Sequence, residues 1–100
     1  MKPVTLHRAA RAELDDAVGW YNDKQPGVGH ELLDEVLAAL DKIERSPGIG
    51  AKYRSTDRRF YRLKRFPYLI YYQEFSDHIW IAAIAHQRRR PGYWRKRKPD

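Results

Sequence analysis

The sequence predicts an α+β domain in which a helical hairpin packs on a small antiparallel β-sheet, in the element order β-α-α-β-β-β. Two observations lead to this fold class. The first half holds two amphipathic helical stripes joined by a short break, and the second half holds three aromatic and β-branched runs separated by turn signals. Since both helices need an apolar surface to cover, the strands are expected to supply it. One hundred residues are the length of a single domain, so this unit is predicted over residues 1–100.

The first half begins with a short strand and continues with two helices. Val4 and Leu6 alternate with polar residues, as in a strand with one buried face. Apolar residues at helical spacing predict a first helix from about Arg8 to Gln25, which a Pro-Gly pair ends. A second stripe predicts a helix from about Val28 to Arg45. Because the break between them is so short, the helices are expected to pack antiparallel.

The second half is predicted to form an antiparallel meander of three strands. These are expected to begin near Arg58, Tyr68 and His78, and the last one, apolar on both faces, should lie in the middle of the sheet. Pro67 is expected at a strand start or a bend, because proline cannot donate to a ladder. Residues 47–57 are expected to form a loop. The basic tail at residues 95–100 is expected to be mobile, because its like charges repel one another.

Charge divides unevenly between the two halves of the chain. Residues 1–50 hold six Lys/Arg and nine Asp/Glu, a net charge of −3, whereas residues 51–100 hold fourteen and four, a net charge of +10. This asymmetry predicts a surface that meets something acidic, either nucleic acid or an acidic protein segment. The alternative is a basic surface that only keeps the protein soluble.

Composition also excludes several classes of protein. With no Cys, the chain has neither disulfides nor thiolate metal sites, and a reducing cytoplasm is the expected location. The longest wholly apolar run, residues 79–85, is far shorter than the ~20 residues of a membrane-spanning helix. No nucleotide-binding loop is present, and the four His residues lack metal-ligand spacing, so we expect no metal and no cofactor.

The helix acids are interpreted as solvated charges. Adjacent carboxylates, as in Asp15-Asp16 and Asp34-Glu35, diverge by about 100° on a helix and cannot share a proton. These positions, with Glu31 and Asp41, are therefore expected on the exposed helix faces.

The candidate functional residues lie in the basic half of the chain, residues 51–100. Cations there could bind phosphates, aromatic rings could stack on bases, and the His86 imidazole could move a proton near neutral pH. If the last predicted strand lies beside the second or the third, the residues that follow it and those of the second strand converge on one surface. The alternatives are arginines that only decorate a terminus, aromatic residues that cover the end of the core, and a structural hydrogen bond at His86. The proposed binding residues are Arg58, Arg59, Arg62, Lys64, Arg65, Arg88, Arg89, Arg90, Tyr93 and Trp94.

Two segments, Arg65-Phe-Pro-Tyr-Leu-Ile-Tyr-Tyr72 and Ile84-Ala-His-Gln-Arg-Arg-Arg-Pro-Gly-Tyr-Trp94, carry a family resemblance. Together with the predicted element order, they resemble the RelE/ParE superfamily of bacterial type II toxin-antitoxin systems. The resemblance extends over nearly the whole chain. It implies a small cytoplasmic toxin that forms a hetero-oligomer with an antitoxin, whose acidic carboxy-terminal segment covers the basic surface of the toxin.

The resemblance leaves three functions open. The long hairpin and the Pro-x-Tyr-Trp ending look closest to ParE-like and plasmid-stabilisation proteins, which inhibit DNA gyrase by protein binding and are not enzymes. The alternative is a RelE-like, metal-independent endoribonuclease that cuts mRNA on the ribosome. That activity would use Arg62, Lys64 and Arg88 on phosphate, His86 as a catalytic residue, and Tyr93 in stacking or proton transfer. A third alternative is a non-toxic module that binds an antitoxin or nucleic acid.

Overall fold

The computed structural model describes residues 1–99 and contains a helical hairpin on one face of a five-stranded sheet. The elements are β1 (Val4–Leu6), α1 (Arg8–Lys24), α2 (Val28–Arg45), a 3₁₀ turn (Pro47–Ile49), β2 (Ala51–Lys52), β3 (Arg58–Arg62), β4 (Tyr68–Glu74) and β5 (Ile79–His86). The strand order is β1-β5-β4-β3-β2, so β5 lies inside the sheet as predicted. The predicted α+β architecture, with a helical hairpin on a sheet, is confirmed.

Two features of the sheet differ from the prediction. β1 pairs with β5 in parallel, whereas the remaining pairs are antiparallel, so the sheet is mixed. The expected loop at 47–57 contains the 3₁₀ turn and the two-residue strand β2, which pairs with β3. Pro47 suits the first position of such a turn, because an N–H at that position would have no partner within the turn. A strand of two residues is too short to show periodicity in the sequence. It is a strand only because it pairs with β3.

The hairpin is closed by a close contact between its helices. Gly27, with φ +93°, precedes α2 in a left-handed conformation that glycine adopts without strain. A Cβ on Gly29 would lie 2.2 Å from the Val18 carbonyl oxygen, so only glycine permits this approach. Asn22 of α1 reinforces the corner, since its Oδ1 accepts from the N–H of Gly29 at 2.7 Å. Neither helix is apolar enough along its length to cross a bilayer.

The sheet has a hydrophobic core on each face. The helix-face core lies under the hairpin, and its fully buried residues include Leu32, Val36, Ile43, Ile70 and Ile81. The tail-face core lies under the carboxy-terminal segment, and its buried residues are Leu69, Tyr71, Trp80, Ala82, Ala83, Ala85 and Trp94. Consecutive residues Ala82 and Ala83 share the tail face because a β-bulge interrupts the register between β4 and β5.

Candidate functional site at the basic end of the sheet

Two turns meet at one end of the sheet. Tyr68, the first residue of β4, pairs with His86, the last residue of β5, and the Gln87 N–H donates to the Pro67 carbonyl at 2.8 Å. The connection 63–67 between β3 and β4 therefore lies beside the turn 87–92 that follows β5. We call this region the basic end. Its cations are Arg62, Lys64, Arg65, Arg88, Arg89 and Arg90.

Two carboxylates of α2 hold the connection 63–67. Glu35 Oε2 accepts from the backbone N–H groups of Lys64 at 2.7 Å and Arg65 at 3.3 Å. The Arg65 guanidinium also pairs with Glu31. The expectation that Glu35 is a solvated charge is therefore wrong, because its carboxylate binds a turn that is distant in sequence. Charge-assisted hydrogen bonds of this kind fix the backbone from which the basic end projects.

Arg58 and Arg59 lie outside the basic end. The Arg58 guanidinium stacks over the rings of Trp80 and Trp94, 5.1 Å from each centroid, and donates to the Arg97 carbonyl at 3.0 Å. Burial lowers the pKa of Arg58. Arg59 instead donates to the Gly50 carbonyl at 2.8 Å, close to the Tyr72 hydroxyl of the helix-face core. The expected single patch thus contains neither guanidinium, since each binds the protein's own backbone.

The Tyr93 hydroxyl is directed towards α1. It donates to Glu13 Oε2 at 2.6 Å, and the Arg97 guanidinium donates to both oxygens of Glu13, at 3.0 and 2.9 Å. The Ile84 N–H of β5 completes the set at 3.1 Å. Burial, followed by the hydrogen bond to Glu13, raises the pKa of Tyr93 well above its usual range. We call this group of contacts the Glu13 anchor.

The Glu13 anchor fixes a segment that was expected to be mobile. Arg97 also donates to the Ala82 carbonyl at 3.0 Å, and its own carbonyl accepts from Arg58. Residues 95–97 therefore lie along the sheet under specific hydrogen bonds, whereas residue 100 of the expected mobile tail lies outside the described residues. Sequence patterns gave no sign of Glu13, because its partners are far away along the chain and its helical position is that of an ordinary polar residue.

Trp94 and His86 both make structural contacts. Trp94 is 1% exposed and packs on Tyr71 with ring centroids 4.5 Å apart, so it covers the tail-face core. The Nδ1 atom of His86 accepts from the Arg88 N–H at 3.1 Å, and its ring stands edge-on to Tyr68. A structural hydrogen bond at His86 was one of the two alternatives raised by the sequence.

An aromatic cavity of about 400 Å³ opens between α1 and the end of β5. Sequence reasoning did not identify Trp20, Tyr21 or Tyr68 as site residues, although all three line it. The available signal was Trp20, a large aromatic residue outside the apolar stripe of α1. Within residues 1–99, including this cavity, no three His, Asp or Glu side chains converge as a metal site would require.

Comparisons with known proteins give one family match, one curated relative and one solved structure of similar fold. Residues 4–91 match the family model described as the ParE toxin of the type II toxin-antitoxin system parDE. A curated relative, Toxin RelE3 of Caulobacter vibrioides, is 24% identical over 91 residues, which cover 90% of this chain and 99% of that toxin. The chain also resembles a solved structure titled the chromosomal ParDE TA system from P. aeruginosa. The TM-score is 0.78 at 19% identity, over 86% of this chain and 96% of that one.

Proposed function

Because the chain belongs to the ParE toxin family of type II toxin-antitoxin systems, we propose that it inhibits DNA gyrase by protein binding. Membership of this family implies an antitoxin partner. In this proposal the basic end contacts gyrase in the cytoplasm, and the antitoxin prevents that contact. Five exposed cations on two adjoining turns, together with exposed Arg62 at the end of β3, give the surface a positive field for an acidic protein partner.

The environment of Tyr93 is the observation that favours binding over RNA cleavage. A tyrosine that takes part in proton transfer needs a hydroxyl that can reach the substrate and exchange its proton there. The Tyr93 hydroxyl instead donates to the Glu13 carboxylate at 2.6 Å, and burial and that bond raise its pKa. A group held in this way serves to position the tail.

A ribosome-dependent endoribonuclease is the second candidate, and one observation favours it. The strand register brings Arg62, Lys64, His86 and Arg88 to the same end of the sheet, because Arg62 pairs with Leu69 and Leu69 pairs with Ala85. Cations gathered there could contact an RNA phosphate. Tyr93 would have to leave Glu13 to join them.

Two assays on the purified chain separate these functions. We expect inhibition of gyrase supercoiling and no cleavage of message on translating ribosomes. Tyr93→Phe should leave gyrase inhibition within about twofold of wild type, because the hydroxyl stabilises the tail without touching the target. Unaffected gyrase together with cut message would overturn the proposal. Expression that does not arrest growth would instead favour the non-toxic module.

Charge reversal tests the basic end directly. Arg88→Glu combined with Arg90→Glu should raise the concentration needed for half-inhibition of gyrase by roughly tenfold or more, because opposed charges become like charges. Lys42→Glu combined with Arg45→Glu is the matched control, because it changes the net charge by the same amount. Lys42 and Arg45 are exposed cations in the last turn of α2, at the opposite end of that helix from Glu31. Equal effects of the two changes would show that net charge, rather than the basic end, governs inhibition.

A further inference from the structure

The aromatic cavity lies at the border of the helix-face core, because Ala17 and Ile84 belong to that core and also line the cavity. Side chains from α1, β4 and β5 form it, and Trp20 stands at its mouth with 55% of its surface exposed. The other two tryptophans, Trp80 and Trp94, are 2% and 1% exposed. The lining residues that matter here are Ala17, Trp20, Tyr21, Tyr68, His86 and Arg89.

The rings around the cavity are held in place by one another. Trp20 stands edge-on to Tyr21 at a centroid separation of 5.0 Å, and Tyr21 stands edge-on to Tyr68 at 6.4 Å. Tyr68 in turn stands edge-on to His86 at 5.2 Å. A preformed aromatic wall with an exposed tryptophan is the kind of surface on which a buried anchor residue of a partner gains most binding energy.

The charges at the mouth of the cavity select an acidic partner. The Arg89 guanidinium lies 3.9 Å above the Tyr93 ring, which fixes it at one rim beside exposed Arg88 and Arg90. The Lys24 ammonium lies 5.1 Å from the centroid of the Trp20 ring. An acidic chain that covers both Trp20 and Tyr93 would therefore meet both cations.

The interior of the cavity selects a neutral anchor. Asp16 and Glu13 also line it, so an anionic side chain inserted there would meet carboxylates. The oxygens of Glu13 already accept from Tyr93, Arg97 and Ile84, and so offer little to a ligand. His86 Nδ1 accepts from the Arg88 N–H, so in the neutral ring the proton lies on Nε2. The rest of the wall is formed mainly by the rings of Trp20, Tyr21 and Tyr68. An apolar or aromatic side chain therefore fits this wall best.

We propose that the antitoxin seats one large apolar side chain in this cavity, with acidic residues beside it that contact Arg89 and Lys24. The proposal rests on the antitoxin partner of the proposed function and is independent of gyrase as the target. A second apolar surface competes for that role. It is the groove between α1 and α2 where Leu37, 53% exposed, lies beside Leu33 and Leu40.

Two matched substitutions distinguish the surfaces. Trp20→Ala should raise the Kd for the purified cognate antitoxin by roughly tenfold or more, the effect of removing an interface hot spot. Leu37→Ala removes an equally exposed apolar side chain from the groove and should change the Kd by less than about twofold. Circular dichroism of both variants shows whether each keeps the wild-type fold, and Trp20→Phe, which keeps an aromatic ring at the wall, should recover much of the lost affinity.

Tryptophan fluorescence supplies an independent measurement on the wild type. Because Trp80 and Trp94 are buried, quenching by acrylamide reports mainly on Trp20. Binding of the antitoxin should lower the quenching constant severalfold and shift the emission to shorter wavelength. Binding with unchanged quenching, or a larger effect of Leu37→Ala than of Trp20→Ala, overturns the cavity as the docking site. Failure of the wild-type chain to bind the antitoxin overturns the partnership as well, and a gyrase assay on the same preparation tests the target separately.

Discussion

The two faces of the sheet are covered by different physical means. On the helix face, amphipathic α1 and α2 bury residues such as Leu32 and Val36, both 0% exposed, mainly by apolar contact. On the tail face, an irregular segment places Trp94 on the sheet and is held by hydrogen bonds between Glu13, Tyr93 and Arg97. A regular cover spreads its stability over many contacts. An irregular cover depends on a few polar groups, so single substitutions should release it.

The largest effect is expected on the helix face. Leu32→Ala should lower the free energy of unfolding by about 2–5 kcal/mol, because it leaves a cavity where two helices and the sheet meet. Urea unfolding followed by circular dichroism and by tryptophan fluorescence checks this, and the two probes should shift together. Leu37→Ala, on the exposed side of the same helix, is the control. An unchanged midpoint for Leu32→Ala would contradict a continuous helix-face core.

An intermediate effect is expected at the Glu13 anchor. Glu13→Gln should cost about 1–3 kcal/mol, because the partly buried Arg97 loses its counter-charge. Hydrogen exchange of the Ile84 amide should speed up, since that N–H donates to Glu13, while amides of α2 stay protected. Asp15→Asn is the control. It removes an exposed pair with Arg11 that is worth at most about 0.5 kcal/mol. Equal losses for the two variants would show that the anchor adds nothing specific.

The smallest effect is an alkaline one. Burial raises the pKa of Tyr93 in the folded chain, and Glu13 raises it further, whereas an unfolded tyrosine ionises near pH ~10. The resulting stabilisation is complete below that pH and is lost as the pH rises towards the folded-state pKa. Tyr93→Phe should therefore lose less stability than wild type between pH 8 and 10.5, by under about 1 kcal/mol.

Urea midpoints at the two pH values measure this difference. The pKa values of Tyr68, Tyr71 and Tyr72 are also raised, chiefly by burial, and their share remains in both proteins. The comparison therefore isolates Tyr93. If wild type and Tyr93→Phe lose equal stability between the two pH values, the Tyr93 hydroxyl does not keep its hydrogen bond to Glu13 in solution.

The sequence predicts those structural elements whose apolar residues repeat at regular spacing along the chain. The stripe from Leu32 to Ile43 repeats every three or four residues, and the predicted helix agrees with α2 at both ends. β2 is too short to repeat, and only its pairing with β3 creates it. Glu13 and Glu35 look like solvated helix positions, because the groups that bind them are brought close only by the fold. The sequence predicts one basic patch that includes Arg58 and Arg59, but the guanidinium groups of both residues bind the protein's own backbone.

The shortness of β1 has a consequence for how this protein behaves at high concentration. β1 covers only Ile79–Ile81 of β5, so the following residues would offer bare backbone to any passing extended chain. Glu13 occupies the Ile84 N–H and Arg97 occupies the Ala82 carbonyl, and together they close that flank. The same side chains that hold the tail therefore also protect the edge of β5 from pairing with another chain, which limits aggregation of the unbound protein.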